Sequence, residues 1–210
     1  MSGVIRLATP HDGAAIAAIY RPSVVESATS FELEAPDAAE MATRVTSTMA
    51  RTPWIVCTTS DDVTGYAYAS RHRERAAYQW SVEVSAYVRQ DVRRAGIASA
   101  LYDTLFAILA LQGFRNAFAG ITLPNPASVA FHERLGFEPI GIFREIGYKQ
   151  GRWHDVQWLG RELASHVVNP PPPRPLPDLV GSIELEVALR AGESRFRSMD
   201  AKSAGLTRSA

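Results

Sequence analysis

Disulfides cannot hold this chain together internally, because Cys57 is its only cysteine. A cysteine metal cluster is excluded for the same reason, and no metal is expected. An excess of charge of one sign is also missing. Lys+Arg and Asp+Glu both number 22, so the formal net charge is zero. Proteins that grip nucleic acid through its phosphates carry a basic surplus, so no nucleic-acid partner is expected. Long apolar runs are absent too: none approaches the roughly 18 residues of a membrane span, so no membrane partner is expected. The opening MSGVIRLATPHDG lacks a basic stretch followed by an apolar one, which argues against secretion. No unit recurs with a period of roughly 20–50 residues, which sets a solenoid aside. These absences lead to the expectation of a cytoplasmic protein.

What is present is a core. Hydrophobic residues make up 46% of the 210 positions and charged residues 21%, which is against wholesale disorder. The length fits one domain with an appendage. The texture changes at NPPPPRPLPD (169–178), a tract limited to extended or turn backbone. The expected organisation is a domain over 1–164, a proline-rich linker over 165–178, and a short helical or disordered tail over 179–210. In the tail, Ile183, Leu185, Val187 and Leu189 form a helical stripe.

Periodicity and punctuation give the elements. Val4–Leu7 reads as a strand. A helix begins near His11, shows Ile16, Ile19 and Tyr20 on one face, and is expected to stop before Pro22. Asp37 with Glu40 resembles a capping box, ahead of Met41, Val45 and Met49 at helical spacing. Trp54–Thr59 and Val63–Ser70 flank Ser60-Asp61-Asp62 as a hairpin. Trp80–Val88 is a strand, and Ile97, Leu101, Leu105 and Ile108 mark a helix ending at Gly113. Asn116–Ile121 is a strand, Ser128–Leu135 a helix, and two strands follow near Pro139–Tyr148 and Arg152–Glu162. The order β-α-α-β-β-β-α-β-α-β-β argues for a mixed α+β sheet rather than a doubly wound one.

The segment richest in chemistry is Arg93-Arg94-Ala95-Gly96-Ile97-Ala98. Small residues at a strand-to-helix turn let backbone amides approach an anion. The helix start adds unpaired N–H groups and a positive dipole end, and the arginines add charge. Physically this is a pyrophosphate cradle. Read alone, it is equally an ordinary helix start.

This turn resembles the acyl-CoA turn of the GNAT acetyltransferase superfamily. Asn125-Pro126-Ala127-Ser128-Val129-Ala130-Phe131-His132-Glu133-Arg134-Leu135-Gly136-Phe137 resembles the superfamily's second cofactor segment. Thr29-Ser30-Phe31-Glu32, Trp80-Ser81-Val82-Glu83, Leu123-Pro124-Asn125 and Gly147-Tyr148-Lys149 with Gly151-Arg152-Trp153-His154-Asp155 are similar to its phosphinothricin N-acetyltransferase branch, over about residues 3–163. The superfamily often has glycine where Ala98 stands. The resemblance implies the GNAT acyl-CoA N-acyltransferase fold, acetyl-CoA as co-substrate, a small amine or amino-acid substrate, and a homodimer. The activity it implies is acetylation of the α-amino group of an analogue such as phosphinothricin, methionine sulfoximine or methionine sulfone. A protein N-terminus, a polyamine, or a non-catalytic acyl-CoA-binding module are the alternatives.

Within that frame, Glu83 is the candidate base, against the plainer reading of a solvated strand glutamate. His132 stands where many relatives carry a tyrosine that protonates the departing thiolate; its plain reading is a packing histidine. Asn125 either bonds the pantetheine arm or caps the following helix. Backbone amides of Ser85, Ala86, Tyr87 and Val88 are the implied carbonyl and pantetheine partners, and Tyr87 reads equally as core. Phe31 and Glu32 are the implied wall of the substrate pocket. In Arg71-His72-Arg73-Glu74-Arg75-Ala76-Ala77-Tyr78, the resemblance selects Arg75 and Tyr78 for substrate, with Arg75 as carboxylate clamp. A solvated basic loop is the alternative there. Cys57 reads as a buried thiol.

Overall fold

Alternation along two central strands decides which side each helix covers. In β2 (Trp54–Thr59), Trp54 and Val56 face one way and Ile55 and Cys57 the other, and all four are buried. In β3 (Asp62–Arg71), bulky Tyr66 points to the first side and small Ala67 and Ala69 to the second. A computed structural model gives this architecture and describes residues 3–92, 95–193 and 195. The first face receives α1 (Gly13–Val25) and α2 (Ala38–Met49), through Ile16, Ile19, Tyr20, Met41 and Val45. The second face receives α3 (Ile97–Gln112), through Leu101, Leu105, Ile108 and Leu109. Alanines under α3 let the helix sit close, while tyrosines fill the wider space on the other side.

The sheet has seven strands in the order β1-β2-β3-β4-β5-β7-β6. β1 (Val4–Leu7), β2, β3 and β4 (Ser81–Val88) run as an antiparallel meander. β4 then pairs in parallel with β5 (Asn116–Thr122), across the α3 connection. The hairpin of β6 (Glu138–Lys149) and β7 (Arg152–Glu162) closes the far edge, with β7 on β5. This is the expected mixed α+β sheet. Positive φ at Ser60 and Asp61 makes the β2–β3 connection the tight turn that its sequence announces.

Two local expectations are corrected. α1 does not stop before Pro22 but continues to Val25, with the proline inside it. Pro22 has no N–H for the carbonyl four residues earlier, yet burial of Val24 beside Ile19 and Tyr20 holds the last turn in place. At α2, Asp37 does cap, its Oδ1 accepting from the Glu40 amide at 2.8 Å. Glu40 does not complete the box, because its carboxylate pairs with Arg44 one turn on.

The tract expected as a linker is fastened to the domain. The Trp80 indole donates to the Pro171 carbonyl at 2.8 Å, the Arg174 amide to Gln112 at 2.8 Å, and the Leu176 amide to Arg51 at 3.0 Å. Leu176 and Leu179 are buried in the same core as α3. Helix α5 (Ile183–Ala191) adds Leu185 and Ala188 to that core and leaves Ile183 and Val187 exposed, so the predicted stripe is split between two faces.

Candidate active site

β4 organises the site. It pairs with β3 from Val82 to Val88 but with β5 at only three positions, Ser81–Asn116, Val82–Ala117 and Glu83–Phe118. Beyond Glu83 the two parallel strands diverge, and the β5-facing edge of residues 84–88 meets no strand among the described residues. A strand edge with unspent backbone groups is costly unless water or a ligand takes it up. The opening is continuous with a cleft of about 1070 Å³, walled by Ala86, Tyr87 and Val88 of β4 and by the start of α3. The late part of α1 (Pro22, Ser23, Glu26) and the helix α4 (Pro126–Arg134) complete it.

Gly96 begins α3 with φ +73°, a left-handed conformation that disfavours side chains. It lines the cleft with Ile97 and Ala98, so the free amides at the head of a sixteen-residue helix border the cavity. Arg93 and Arg94 lie outside the described residues. Ala95 and Ser85 do not line the cleft among the described residues. Ser85 stands opposite Tyr68 in the β3–β4 ladder. Tyr87 does both things left open by its sequence: it walls the cleft and packs on Tyr66 (centroids 5.3 Å) and edge-on to Tyr20 (4.9 Å).

Asn125 caps α4, its Oδ1 accepting from the Ser128 amide at 3.2 Å, and it also lines the cleft. His132, one face further along α4, is only 7% exposed. Its Nδ1 lies 2.8 Å from the Ser128 carbonyl and its Nε2 3.0 Å from the Tyr102 hydroxyl. A carbonyl can only accept, so Nδ1 carries the hydrogen and, in the neutral ring, Nε2 accepts from Tyr102. Burial lowers the His132 pKa, with the Ser128 bond opposing that shift. In a neutral His132 both ring nitrogens are thus engaged, the arrangement of the packing reading, and a role toward the departing thiolate would run through the Tyr102 hydroxyl. Tyr102, which no motif in the sequence singles out, is its partner and lines the cleft itself.

Glu83 stands where the two strands part. One carboxylate oxygen, Oε1, accepts from His72 Nδ1 at 3.0 Å and from Arg73 at 3.4 Å. The ring of Phe118 on β5 and that of Trp158 on β7 border the same cluster. Arg73 lies over the Trp158 ring at 5.9 Å, and the Trp158 indole nitrogen is buried with no hydrogen-bond partner. Glu83, Ser85 and Tyr87 share one face of β4, so a ligand group emerging past Tyr87 would meet Glu83.

The implied substrate residues lie around that face and not in the large cleft. The Phe31 ring rests on Gly147, where an added Cβ would come within 2.2 Å of it, so this contact requires glycine. Both Glu32 oxygens are spent on Arg44, at 2.7 and 2.9 Å, and one also accepts from Tyr20 at 2.9 Å. The Arg44 bonds hold the Glu32 pKa below its usual value. Glu32 thus fixes α2 against the α1–α2 loop. Lys149, unremarked in the sequence, secures the same loop by donating to the carbonyls of Val24 and Ser30, both at 2.6 Å. Arg75 is exposed at the head of a short turn, and Tyr78 is set edge-on to His72 at 6.0 Å. Of the loop arginines, Arg73 reaches Glu83 and Arg75 is left open to solvent.

Comparison with known proteins gives the family. The family model for the acetyltransferase (GNAT) domain matches residues 5–158. A phosphinothricin N-acetyltransferase of Streptomyces viridochromogenes is 38% identical over 172 residues, covering 82% of this chain and 92% of its own. An L-methionine sulfoximine/L-methionine sulfone acetyltransferase of Pseudomonas aeruginosa is 35% identical over 168 residues, 78% of this chain and 96% of its own. The crystal structure of a GNAT superfamily phosphinothricin acetyltransferase from Sinorhizobium meliloti in complex with AcCoA matches with a TM-score of 0.77 at 36% identity, covering 81% of this chain and 94% of that one.

Proposed function

For an N-acetyltransferase that belongs to the GNAT family, in its phosphinothricin N-acetyltransferase-like branch, we propose acetylation of the α-amino group of a small amino-acid analogue. Phosphinothricin, methionine sulfoximine and methionine sulfone define the substrate class, following the activities named for its relatives. The observation that carries this reading is the parting of β4 and β5 directly after Glu83. It sets a carboxylate between a long cleft on one side and an aromatic, arginine-bearing surface on the other.

The residues present fit acetyl-CoA. The cleft is of the size that large ligands occupy, the αL glycine exposes the amides of α3 to a pyrophosphate, and residues 84–88 offer an unpaired backbone edge. Acetyl-CoA, when bound, supplies the activated acetyl thioester. Gly96, Ile97 and Ala98 would hold its phosphates together with Arg93 and Arg94, and Ser85, Ala86 and Tyr87 its pantetheine arm, with Asn125 bordering it. Glu83 would take one ammonium proton, directly or through one water, freeing the nitrogen lone pair for the thioester carbonyl; as the C–N bond forms the C–S bond would break, and CoA would leave as a thiolate that takes up the second nitrogen proton. Arg75 and Tyr78 hold the acceptor carboxylate, beside Phe31. Transfer is direct, within a ternary complex, since Cys57 is fully buried and cannot serve as a nucleophile.

A free-thiol release assay tests this with phosphinothricin, methionine sulfoximine, methionine sulfone, an N-terminal peptide and a polyamine. Turnover of the first three with intersecting initial-rate lines is expected. Parallel lines would overturn direct transfer, and preference for the peptide or polyamine would overturn the substrate class. The reading includes a homodimer, supported by Ile140, Ile142, Phe143, Ile146, Tyr148 and Trp153, all exposed on the β6–β7 hairpin. Analytical ultracentrifugation showing a monomer would remove it.

A further inference from the structure

We propose that His72 is a positioning residue for Glu83, setting which carboxylate oxygen meets the amine; this rests on the function proposed above. His72 follows the last residue of β3, and Ser70, two residues back, pairs with Glu83 across the β3–β4 ladder. The side chain therefore turns in over Glu83 from the neighbouring strand.

Three facts make the contact more than incidental. Its ring is walled on three sides, 4.6 Å from Phe118, 6.0 Å from Trp158 and 6.0 Å from Tyr78. A ring packed in this way has its nitrogen placed before any substrate arrives. Second, Nδ1 donates to Oε1 at 3.0 Å. A carboxylate only accepts, so the hydrogen is on Nδ1 in either charge state of the ring. Third, the other donor is the weaker one. Arg73 reaches the same oxygen at 3.4 Å with a side chain 48% exposed, against 15% for His72. An exposed ion pair at that distance fixes little. With Oε1 spent, Oε2 takes no hydrogen bond from any described residue and is the oxygen left to accept a proton. A base displaced by about 1 Å costs on the order of 10²-fold in rate.

Two substitutions separate a hydrogen-bonding role from a packing role. His72→Phe keeps the aromatic contacts and removes the donor; His72→Asn keeps a donor near the Nδ1 position and removes the ring. With methionine sulfone as acceptor, H72F should lower kcat by about 10- to 100-fold with the KM for acetyl-CoA unchanged, and H72N should restore most of it. The reverse order, with H72F active and H72N poor, would show that His72 only packs. The same pair is then made in a Glu83→Gln background, where H72F should cost less than threefold more. Loss of the full 10- to 100-fold there would overturn action through Glu83. If E83Q alone loses less than threefold, the Glu83 assignment fails instead. Melting temperatures of all five variants identify one that fails to fold, and H72N then carries the test.

Discussion

Replacing Glu83 by glutamine removes a base while changing almost nothing else. The amide oxygen can still accept from His72 Nδ1, now 3.0 Å from Oε1, so the side chain keeps its place beside Phe118. What is lost is an oxygen able to take a proton. An aliphatic ammonium with a pKa near 10 is about three units above pH 7, so roughly one molecule in a thousand is neutral and the others lie about 4 kcal/mol away. General-base catalysis is worth about 10²–10⁴ in rate, which is the fall expected in the turnover number of E83Q at pH 7. The acetyl-CoA cleft does not include Glu83, so the KM for acetyl-CoA should hold. The dependence on pH is the sharper signature. At pH 9.5 about a quarter of such an amine is already neutral, so the deficit should shrink by about 250-fold, to about 40-fold at most. Profiles of kcat/KM from about pH 6 to 9.5 for both proteins decide the matter. Parallel profiles less than threefold apart would refute the base.

Gly96→Asp should sharply weaken acetyl-CoA binding in a folded protein, because it puts a carboxylate where α3 presents its positive end and a side chain where φ is +73°; unchanged affinity by calorimetry would remove the phosphate assignment. Arg75→Ala should raise the KM for a free amino acid far more than for its ester or decarboxylated amine, and equal losses would show that Arg75 does not read the carboxylate. Acid should destabilise the fold in two stages. His132, its pKa lowered by burial, contributes stability that is complete above its ordinary value of 6.5 and is lost as pH falls below it. Glu32, its pKa lowered by the Arg44 bonds, behaves the same way below 4.5. Calorimetric melting against pH should therefore lose its first decline in His132→Gln and show a smaller second one in Glu32→Gln, where Asp12, held low by Arg6 and Thr9, still contributes; a decline unchanged in both would contradict these environments.

The hairpin at Ser60-Asp61, the Asp37 cap, the Gly113 stop and the helix-start glycine were all legible locally. Each is a statement about a few neighbouring residues and their backbone preferences. Pro22 misled because its local rule was overridden by burial of Val24, which depends on residues far away in sequence. The proline-rich tract reads as a spacer because its composition cannot form regular structure. Nothing local shows that Gln112 and Arg51, distant along the chain, bond it through Arg174 and Leu176.

The same division runs through the site. The strand that carries Glu83, the glycine turn into α3 and the Asn125 cap of α4 could be read locally, because each depends on spacing along one segment. The loop RHRER gave no sign of which side chain turns inward. Only the β3–β4 register, which sets Ser70 opposite Glu83, brings His72 over the carboxylate and leaves Arg75 in solvent. Likewise only the packing of α2 shows that the oxygens of Glu32 are engaged by Arg44, 2.7 Å away. Only the packing of α3 shows that Tyr102 meets Nε2 of His132. A side chain's chemistry is written in its type, but which of its atoms remain unspent is decided by partners that folding brings from elsewhere in the chain.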